Sequence, residues 1–231
     1  MTLLLPAVTS GAPLLDTVHH TDALTLLRAL PTGSVDAVIT DPPYGVGKAV
    51  WDDSIDVDIF RECLRVSRGY SLFFYANTRL HHILGIIQSC GYDAWVMVWH
   101  KPNSMQISRK FLPHWSPIIC AYKSGQVNFW GKDVVHDAIV PQGFDHPTVK
   151  PLKVVKWLIE KASKPGALIC DPFMGSGTTA IAARLLGRRF IGCDISAEYV
   201  NLAKARLAEP YTLPLPLAIE PVVARQEALA W

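Results

Sequence analysis

Short apolar runs alternate with amphipathic helical stretches along most of the sequence, and this alternation limits the possible folds more than any other feature. Val35–Ile39 and Tyr70–Ala76 have the length and composition of buried strands. Stretches such as Ile55–Val66 place apolar residues three or four positions apart, as on one face of a helix. The sequence therefore predicts an α/β fold with a mostly parallel sheet and helices on both faces.

The expected elements extend from residue 14 to residue 207. The expected strands are Leu14–Val18, Val35–Ile39, Tyr70–Ala76, Ala94–Trp99, Pro117–Tyr122, Ala167–Cys170 and Phe190–Cys193. The expected helices are a stretch with Ala23, Leu26, Leu27 and Leu30 on one face, then Ile55–Val66, Thr78–Ser89, a helix opened by Pro151, Gly175–Leu186 and Ser196–Leu207. We expect one domain over residues 1–207, with a small insertion of loops and short strands near 124–145. Residues 208–231 form a proline-rich tail that is expected to lie against the body or a partner subunit.

Composition excludes several classes of protein. Half of the residues are hydrophobic, which argues against a disordered chain, and a net charge of +2 argues against a histone-like polycation. No apolar run reaches the roughly 18 residues of a spanning helix, so no membrane association is expected. The five cysteines are scattered without a C-x-x-C pair, which disfavours a disulfide framework or zinc ribbon and favours a reducing cytoplasm. The histidines lack ligand spacing, so no metal is expected.

A rigid polar loop follows the strand Val35–Ile39. It reads Thr40-Asp41-Pro42-Pro43-Tyr44-Gly45, and loops at the carboxyl ends of parallel strands are where α/β sheets bind ligands. Because two successive prolines fix their own φ angles and hold Pro42 extended, the backbone carbonyls point in a set direction. The Asp41 carboxylate and the Pro42 carbonyl can each accept a hydrogen bond from an amino group, while the Tyr44 ring stacks on a planar base.

These two acceptors meet a specific chemical need. An aryl amine is a poor nucleophile because its lone pair is delocalised into the ring. Acceptors held outside the ring plane favour a pyramidal nitrogen and stabilise the positive charge that develops on it. The simpler interpretation is an Asp-Pro turn between a strand and a helix, which is common. The additional Tyr44-Gly45 and the position after a buried strand favour a functional loop.

A glycine-rich loop follows the strand Ala167–Cys170. It reads Asp171-Pro172-Phe173-Met174-Gly175-Ser176-Gly177-Thr178-Thr179-Ala180, and its glycines let a ligand approach the backbone closely. Asp194 ends the next strand, 19 residues after Gly175, where a carboxylate typically binds two ribose hydroxyls. The spacing of Gly175, Gly177 and Ala180 also matches the dinucleotide fingerprint, so NAD-dependent hydride transfer stays open as an alternative.

Asp171 favours a cationic cofactor over NAD. A carboxylate just before the glycines repels a pyrophosphate but attracts a ligand that carries an ammonium and a sulfonium. S-adenosylmethionine carries both groups. A glycine-rich helix start that binds no ligand is the structural alternative, and Asp194 at the expected spacing argues against it.

With these two loops, the sequence resembles the DNA amino-methyltransferases, which methylate adenine N6 or cytosine N4 with S-adenosylmethionine. The catalytic loop of that family matches Asp41-Pro42-Pro43-Tyr44, and its cofactor loop matches Asp171–Thr179. The catalytic loop therefore comes first in this chain, as in the β class of the family. The resemblance extends from about Leu14 to Leu207 and includes the blocks Trp99-His100-Lys101-Pro102-Asn103 and His146-Pro147-Thr148-Val149-Lys150-Pro151. It implies a Rossmann-like class I methyltransferase fold that is circularly permuted, so that the helix ending near Leu207 finishes beside Leu14.

The resemblance implies a role for each matching residue. Asp41, Pro42, Pro43 and Tyr44 form the catalytic loop in this interpretation. The residues that line S-adenosylmethionine are Asp22, Asp171, Phe173, Gly175, Ser176, Gly177, Thr178, Thr179, Asp194, His146, Thr148 and Lys150. Among them, Asp194 is expected at the ribose, Asp22 near the adenine and Lys150 near the methionine carboxylate. The candidate DNA contacts are Arg109, Lys110 and Lys101, with Lys132 and Lys153 as further candidates.

The sequence departs from the family pattern at two places. Asp194 stands where relatives often have glutamate, and His114-Trp115-Ser116 stands where many have His-Glu. Trp99, Trp115 and Trp157 are expected in the core rather than against bases.

The expected partner is double-stranded DNA, from which the target base must be flipped out of the stack. Asp41 in the first place of its loop favours adenine N6, and cytosine N4 is the alternative. The small insertion implies a short or relaxed recognition sequence or help from a second subunit in a homodimer. The expected setting is the cytoplasm, in a prokaryotic or phage-encoded restriction-modification system.

Two more functions stay open beside DNA methylation and hydride transfer. A methyltransferase that acts on RNA or on a protein glutamine more often has Asn-Pro-Pro-Tyr and an unpermuted order. A catalytically inactive DNA-binding relative would have no transfer activity for an Asp41→Ala substitution to remove.

Overall fold

The computed structural model describes residues 15–43, 57–102, 114–125, 131–138 and 149–209. Its strands are β1 (Thr17–His20), β2 (Val35–Thr40), β3 (Ser67–Phe74), β4 (Asp93–His100), β5 (Trp115–Tyr122), β6 (Val134–His136), β7 (Leu168–Asp171) and β8 (Arg189–Asp194). Its helices are α1 (Ala23–Ala29), α2 (Val57–Val66), α3 (Leu80–Ser89), α4 (Leu152–Ala162), α5 (Thr178–Leu185) and α6 (Ala197–Ala208). A short 3₁₀ turn, Asn77–Arg79, precedes α3.

The strands form one sheet in the order β1-β8-β7-β2-β3-β5-β4-β6. The strands β1, β8, β7, β2 and β3 are parallel to one another, whereas β5 is antiparallel to both of its neighbours, β3 and β4. Since β6 is parallel to β4, each of the described strands apart from β5 ends at the same edge of the sheet. This carboxyl edge is where the loops of an α/β sheet meet their ligands.

Each face of the sheet packs against three of the described helices, in keeping with the expected layers. Along β2, Ala37 and Ile39 face a core shared with α4, α5 and α6. Val35 and Val38 face a core shared with α1, α2 and α3. From Ala37 to Ile39 the faces alternate with the two-residue period of a strand, whereas Val35 lies on the other side of a register shift between Val35 and Ala37. No helix among the described residues is long and apolar enough to cross a membrane.

Several expected boundaries shift where the backbone needs a special conformation. β1 begins at Thr17 rather than Leu14, because Asp16 turns the chain with a φ of +62°; Leu14 itself lies outside the described residues. α5 begins at Thr178 rather than Gly175, because Gly175 and Gly177 have φ values of +51° and +86°. β3 begins at Ser67, which already pairs with Val35 of β2.

One expectation about the core is wrong. Trp115 is 38% exposed, because it begins β5 at the rim of the sheet. Trp99 is buried as expected, and Trp157 packs half-buried against the core. The region expected to contain short strands includes β6. The tail beyond residue 209 lies outside the described residues.

The permuted chain order is confirmed by the position of β1. This strand pairs in parallel with β8, from Thr17 opposite Ile191 to His20 opposite Asp194, and α6 packs against it. The first described strand therefore lies beside the last described helix. A chain cut at this place leaves the strand order of the sheet intact.

Asp16, just before β1, forms hydrogen bonds to β8. One carboxylate oxygen accepts a hydrogen bond from the Phe190 amide at 3.1 Å. The other accepts two from the Arg189 guanidinium, at 3.0 and 2.8 Å. The Asp16 amide in turn donates to the Phe190 carbonyl at 2.6 Å. A short side chain that tolerates positive φ thus links the start of the described chain to β8.

We expect Asp16→Ala to lower the free energy of unfolding by about 1–2 kcal/mol, since it removes the bond to the Phe190 amide and places alanine at positive φ. The exposed ion pair with Arg189 adds little. Urea denaturation measures the change. Asp16→Asn keeps an oxygen for the amide and should lose less, and Glu160→Ala on the exposed face of α4 should change stability by less than about 0.5 kcal/mol. Equal losses for the two Asp16 variants would contradict this assignment.

Candidate active site

A cavity of about 340 Å³ opens at the carboxyl edge, between the loops that follow β1, β2, β7 and β8. Its volume lies within the range of small-molecule sites. Its walls combine carboxylates, a lysine, backbone of the glycine-rich loop and apolar side chains. The residues named from the sequence that line it are Asp22, Asp41, Pro43, Lys150, Asp171, Phe173, Gly175, Ser176, Thr178, Thr179 and Asp194.

A buried hydrogen bond joins the two motif loops. The Thr40 hydroxyl, at the end of β2, donates to the Asp171 carboxylate, at the end of β7, over 2.7 Å. The same carboxylate oxygen accepts a bond from the Phe173 amide at 3.0 Å. Because β2 and β7 are adjacent strands, their loops leave the sheet side by side. The loop that begins at Asp41-Pro42-Pro43 (the proline loop) and the loop of residues 171–180 (the glycine loop) therefore border one cavity.

Burial sets the ionisation of Asp171. The loss of hydration raises the pKa of this carboxyl to about 6, although hydrogen bonds from Thr179, Thr40 and the Phe173 amide act in the opposite direction. The neighbouring Asp41 charge raises the pKa a little further. Asp171 is thus a charged group near neutral pH and a neutral one in mild acid.

The glycine-rich loop is held from two sides. The Gly175 amide donates to one oxygen of Asp194 at 2.9 Å, and the Ser196 amide donates to the other at 2.9 Å. From behind, the buried Arg206 guanidinium donates to the Ser176 carbonyl at 2.6 Å and to its hydroxyl at 3.0 Å. Arg206 was not expected from the sequence, where it is one of two cations, with Lys204, on this helix.

Gly177 allows a close approach between the loop and α6. Its φ of +86° is left-handed, and a Cβ atom built there would lie 2.9 Å from the Ala203 Cβ and 3.1 Å from its Cα. Beside it, Thr178 opens α5 with a buried hydroxyl oxygen that has no hydrogen-bond partner among the described residues. A buried hydroxyl of this kind in a cavity wall suits a polar ligand group.

Lys150 bonds to the Asp41 carboxylate in the loop after β2. Its ammonium donates to Asp41, and both side chains are mostly buried. The ammonium also lies 5.2 Å from the centre of the Phe74 ring, at the end of β3. Lys150 was expected near a ligand carboxylate, and the structure gives it Asp41 as a partner. Both residues still line the cavity.

Asp22, Ile195 and Tyr199 form a further part of the cavity wall. Asp22 caps α1 by accepting from the Thr25 amide at 2.9 Å and from its hydroxyl. Burial would raise the pKa of Asp22, but hydrogen bonds from Thr25 and from nearby backbone together lower it. Ile195, which is 73% exposed, and Tyr199 line the same wall. Neither was expected from the sequence, although an apolar residue directly after Asp194 was a usable signal.

Not every expected residue lies in this wall. Pro42 and Gly177 are buried and are not among the lining residues, although each is a chain neighbour of residues that line the cavity. Lys101, expected at DNA phosphates, is instead buried, with its ammonium 5.4 Å from the centre of the Trp99 ring. Because a phosphate contact needs an accessible ammonium, this expectation is corrected. Outside the described residues are Tyr44, Arg109, Lys110, His146 and Thr148.

Comparison with known proteins agrees with this arrangement. The N6/N4 methyltransferase family model, described as DNA methylase, matches residues 35–205. The chain belongs to this family of DNA methylases. The DNA adenine methyltransferase YhdJ of Escherichia coli (strain K12) is 26% identical over 242 residues, which cover 83% of this chain and 82% of that protein. Type II methyltransferase M.HpaI of Haemophilus parainfluenzae is 27% identical over 230 residues, which cover 80% and 72%.

Solved structures of DNA methyltransferases also align with most of this chain. The crystal structure of the M1.HpyAVI–SAM complex aligns with a TM-score of 0.67 at 25% identity and covers 82% of this chain and 98% of that one. The cytosine-N4-specific PvuII DNA methyltransferase aligns with a TM-score of 0.66 at 17% identity, over 85% of this chain and 89% of that one, and shares the fold. The class I methyltransferase fold is confirmed, and the NAD-dependent alternative is set aside.

We expect Gly177→Ala to lower the free energy of unfolding by about 2–3 kcal/mol and to weaken cofactor binding. The change combines positive φ with a collision against the α6 backbone. Gly166→Ala is the matched control, because its φ is +81° but a Cβ there has no neighbour within 4 Å. It should lose only about 1 kcal/mol. Equal losses by urea denaturation would show that the approach to α6 does not matter.

Proposed function

We propose that this DNA methylase transfers a methyl group from S-adenosylmethionine to the N6 amino group of adenine in double-stranded DNA. The observation that carries the proposal is the Thr40–Asp171 bond, which fixes the proline loop beside the glycine loop at one cavity. A base amine bound by the first loop thus lies next to a donor bound by the second.

The cavity fits S-adenosylmethionine in chemistry as well as in volume. Asp171 supplies negative charge for a cationic ligand, and the Thr178 hydroxyl, unpartnered among the described residues, faces a ligand that can donate or accept a hydrogen bond. Asp194 would bind the ribose hydroxyls while it holds the Gly175 and Ser196 amides. Ile195 offers apolar surface to the adenine ring, near Asp22. When bound, the cofactor supplies a methyl group on a sulfonium, which needs no metal to react.

Asp41 and Pro42 act on the amine. The Asp41 carboxylate and the Pro42 carbonyl would accept the two amino hydrogens, so that the nitrogen lone pair points toward the methyl group. Methylation would leave positive charge on that nitrogen. Asp41 would stabilise the charge and take the released proton. Lys150 is a positioning residue in this scheme, since its ammonium fixes the orientation of the Asp41 carboxylate.

Adenine is proposed over cytosine because Asp41 occupies the first position of the loop. The similarity to a DNA adenine methyltransferase supports the same choice. Tyr44 is proposed to stack on the flipped base, and Arg109 and Lys110 to contact phosphates; all three lie outside the described residues. His146 and Thr148 are likewise proposed to lie near the methionine part of the cofactor.

The biological setting is proposed from the relatives and from the small size of the insertion. Bacterial type II methyltransferases among the relatives support a cytoplasmic enzyme of restriction-modification type, and the five free cysteines agree with a reducing compartment. The insertion near 124–145 supports a short recognition sequence or a recognition surface completed by a second copy of the chain.

Nucleoside mass spectrometry tests the reaction. DNA incubated with the enzyme and S-adenosylmethionine is digested, and we expect N6-methyladenine to appear. Asp41→Asn should lower turnover at least about a hundredfold while it changes cofactor affinity little, because the loss falls on the acceptor of the amine hydrogens. N4-methylcytosine as the product would contradict the choice of base, and undiminished turnover in Asp41→Asn would contradict the mechanism.

The raised pKa of Asp171 predicts pH-dependent cofactor binding. Above about pH 6 the carboxylate is charged and attracts the cationic cofactor, and below it the charge is lost. We therefore expect Asp171→Asn to weaken S-adenosylmethionine binding severalfold at pH 8, with a much smaller difference from wild type at pH 5. Calorimetry with S-adenosylhomocysteine, whose sulfur is neutral, is the control and should show a smaller effect at pH 8. A constant ratio of affinities across this range would oppose the electrostatic role.

A further inference from the structure

Two histidines form a pair at the carboxyl edge, outside the cavity described above. His100 ends β4, His136 ends β6, and the two are Cα partners in the parallel ladder between these strands. Their Nδ1 atoms are 3.1 Å apart, and their ring centres are 5.0 Å apart with an interplanar angle of 68°. His136 is exposed and His100 is half-buried. The two rings are thus in contact with each other and accessible to solvent.

The Nδ1–Nδ1 contact makes the pair a shared site for one proton. In the neutral pair, one ring donates from Nδ1 and keeps a lone pair on Nε2, while the other accepts at Nδ1 and carries hydrogen on Nε2. A proton added to the free Nε2 leaves the internal hydrogen bond intact. The pair then has one positive charge and two Nε2–H donors. A second proton would set two Nδ1–H groups against each other, which is unfavourable.

Among the described residues, a lysine and its carboxylate partner lie beside the pair. Among the described residues, no group of three or more His, Cys, Asp or Glu side chains is placed to hold a metal. Lys153 of α4, 70% exposed, donates to the His136 carbonyl at 3.3 Å and lies 3.9 Å from the Asp137 carboxylate. The other ionisable groups nearby along the described chain are the exposed His114 before β5 and the buried Lys101 after β4.

An exposed aromatic ring extends the same surface. Trp115 lies opposite His100 in the antiparallel ladder between β4 and β5, so both side chains lie on one face of the sheet. Trp115, His100 and His136 therefore form a row across three neighbouring strands at the rim where β4 and β6 end. Such a row of an exposed ring and hydrogen-bond donors is of the kind that contacts nucleic acid.

The distance of the row from Asp41 would place it against DNA that flanks the target base. β4 is three strands away from β2, and β6 is four, which places the pair about 15–20 Å from Asp41. That distance corresponds to on the order of five base pairs along a duplex. A contact there touches DNA beside the target nucleotide rather than the flipped base.

We propose that the His100–His136 pair, in its singly protonated form, binds a backbone phosphate of the DNA that flanks the target base. The two Nε2–H donors face two phosphate oxygens, and the single charge of the pair offsets that of the phosphate. This proposal rests on the proposed action on DNA. It assigns a DNA contact to residues that neither the proline loop nor the glycine loop contains.

Fluorescence anisotropy with a short mixed-sequence duplex, at constant ionic strength, tests the contact. Wild-type enzyme should bind the duplex about fivefold more tightly than His136→Gln at pH 6, because the variant lacks one Nε2–H donor and the charge of the pair. The salt dependence of His136→Gln should fall by about one phosphate contact. His136→Arg should bind about as tightly as wild type.

His81→Gln, on the exposed side of α3, is the matched control and should keep the wild-type affinity and salt dependence. An affinity and salt dependence of His136→Gln equal to those of wild type, with methyl transfer intact, would contradict the phosphate contact alone. Absence of methyl transfer to DNA by wild-type enzyme would contradict the proposed function instead. Turnover at saturating DNA should stay close to wild type in His136→Gln, since the pair lies outside the reacting centre.

Discussion

The hydrogen bond from Thr40 to Asp171 is the interaction on which the rest of the site depends. It is buried, it spans 131 positions in sequence, and it joins the ends of two adjacent parallel strands. One strand continues into the loop that presents Asp41 and the other into the loop that presents Gly175. Because both loops leave the same edge of the sheet, a base amine and a methyl donor can meet without any large movement of the backbone.

The site also shows how charge is arranged around this bond. Asp22, Asp41, Asp171 and Asp194 surround a cavity in which Lys150 is the one lysine among the described lining residues. Three of these carboxylates already organise backbone amides, at Thr25, Phe173, Gly175 and Ser196. The acidic groups therefore shape the loops and at the same time create a negative site for a cationic ligand. The permuted order of the chain leaves this geometry unchanged, because β1 still completes the sheet beside β8.

Much of the fold and part of the site could be predicted from local sequence. The apolar patterns of β2 and α1 and the cap at Ser196 depend on neighbouring residues, so they are readable in the chain. The two loops were recognisable because each concentrates its chemistry in a few consecutive positions. Contacts between distant residues were not readable: Lys150 with Asp41, Arg206 with Ser176, and His100 with His136 depend on how strands and helices pack. For the same reason the burial of two residues was predicted wrongly. Lys101 is buried although an exposed phosphate contact was expected, and Trp115 is partly exposed although a core position was expected.

The distance between the bound methyl group and Asp41 tests the central claim most directly. A crystal structure of the enzyme with S-adenosylmethionine would give it. The account predicts that the methyl carbon lies within about 6 Å of the Asp41 carboxylate and points toward it, which leaves room for one amino nitrogen between them. A methyl group directed away from the proline loop, or a cofactor bound outside the cavity between Asp171 and Asp194, would contradict it.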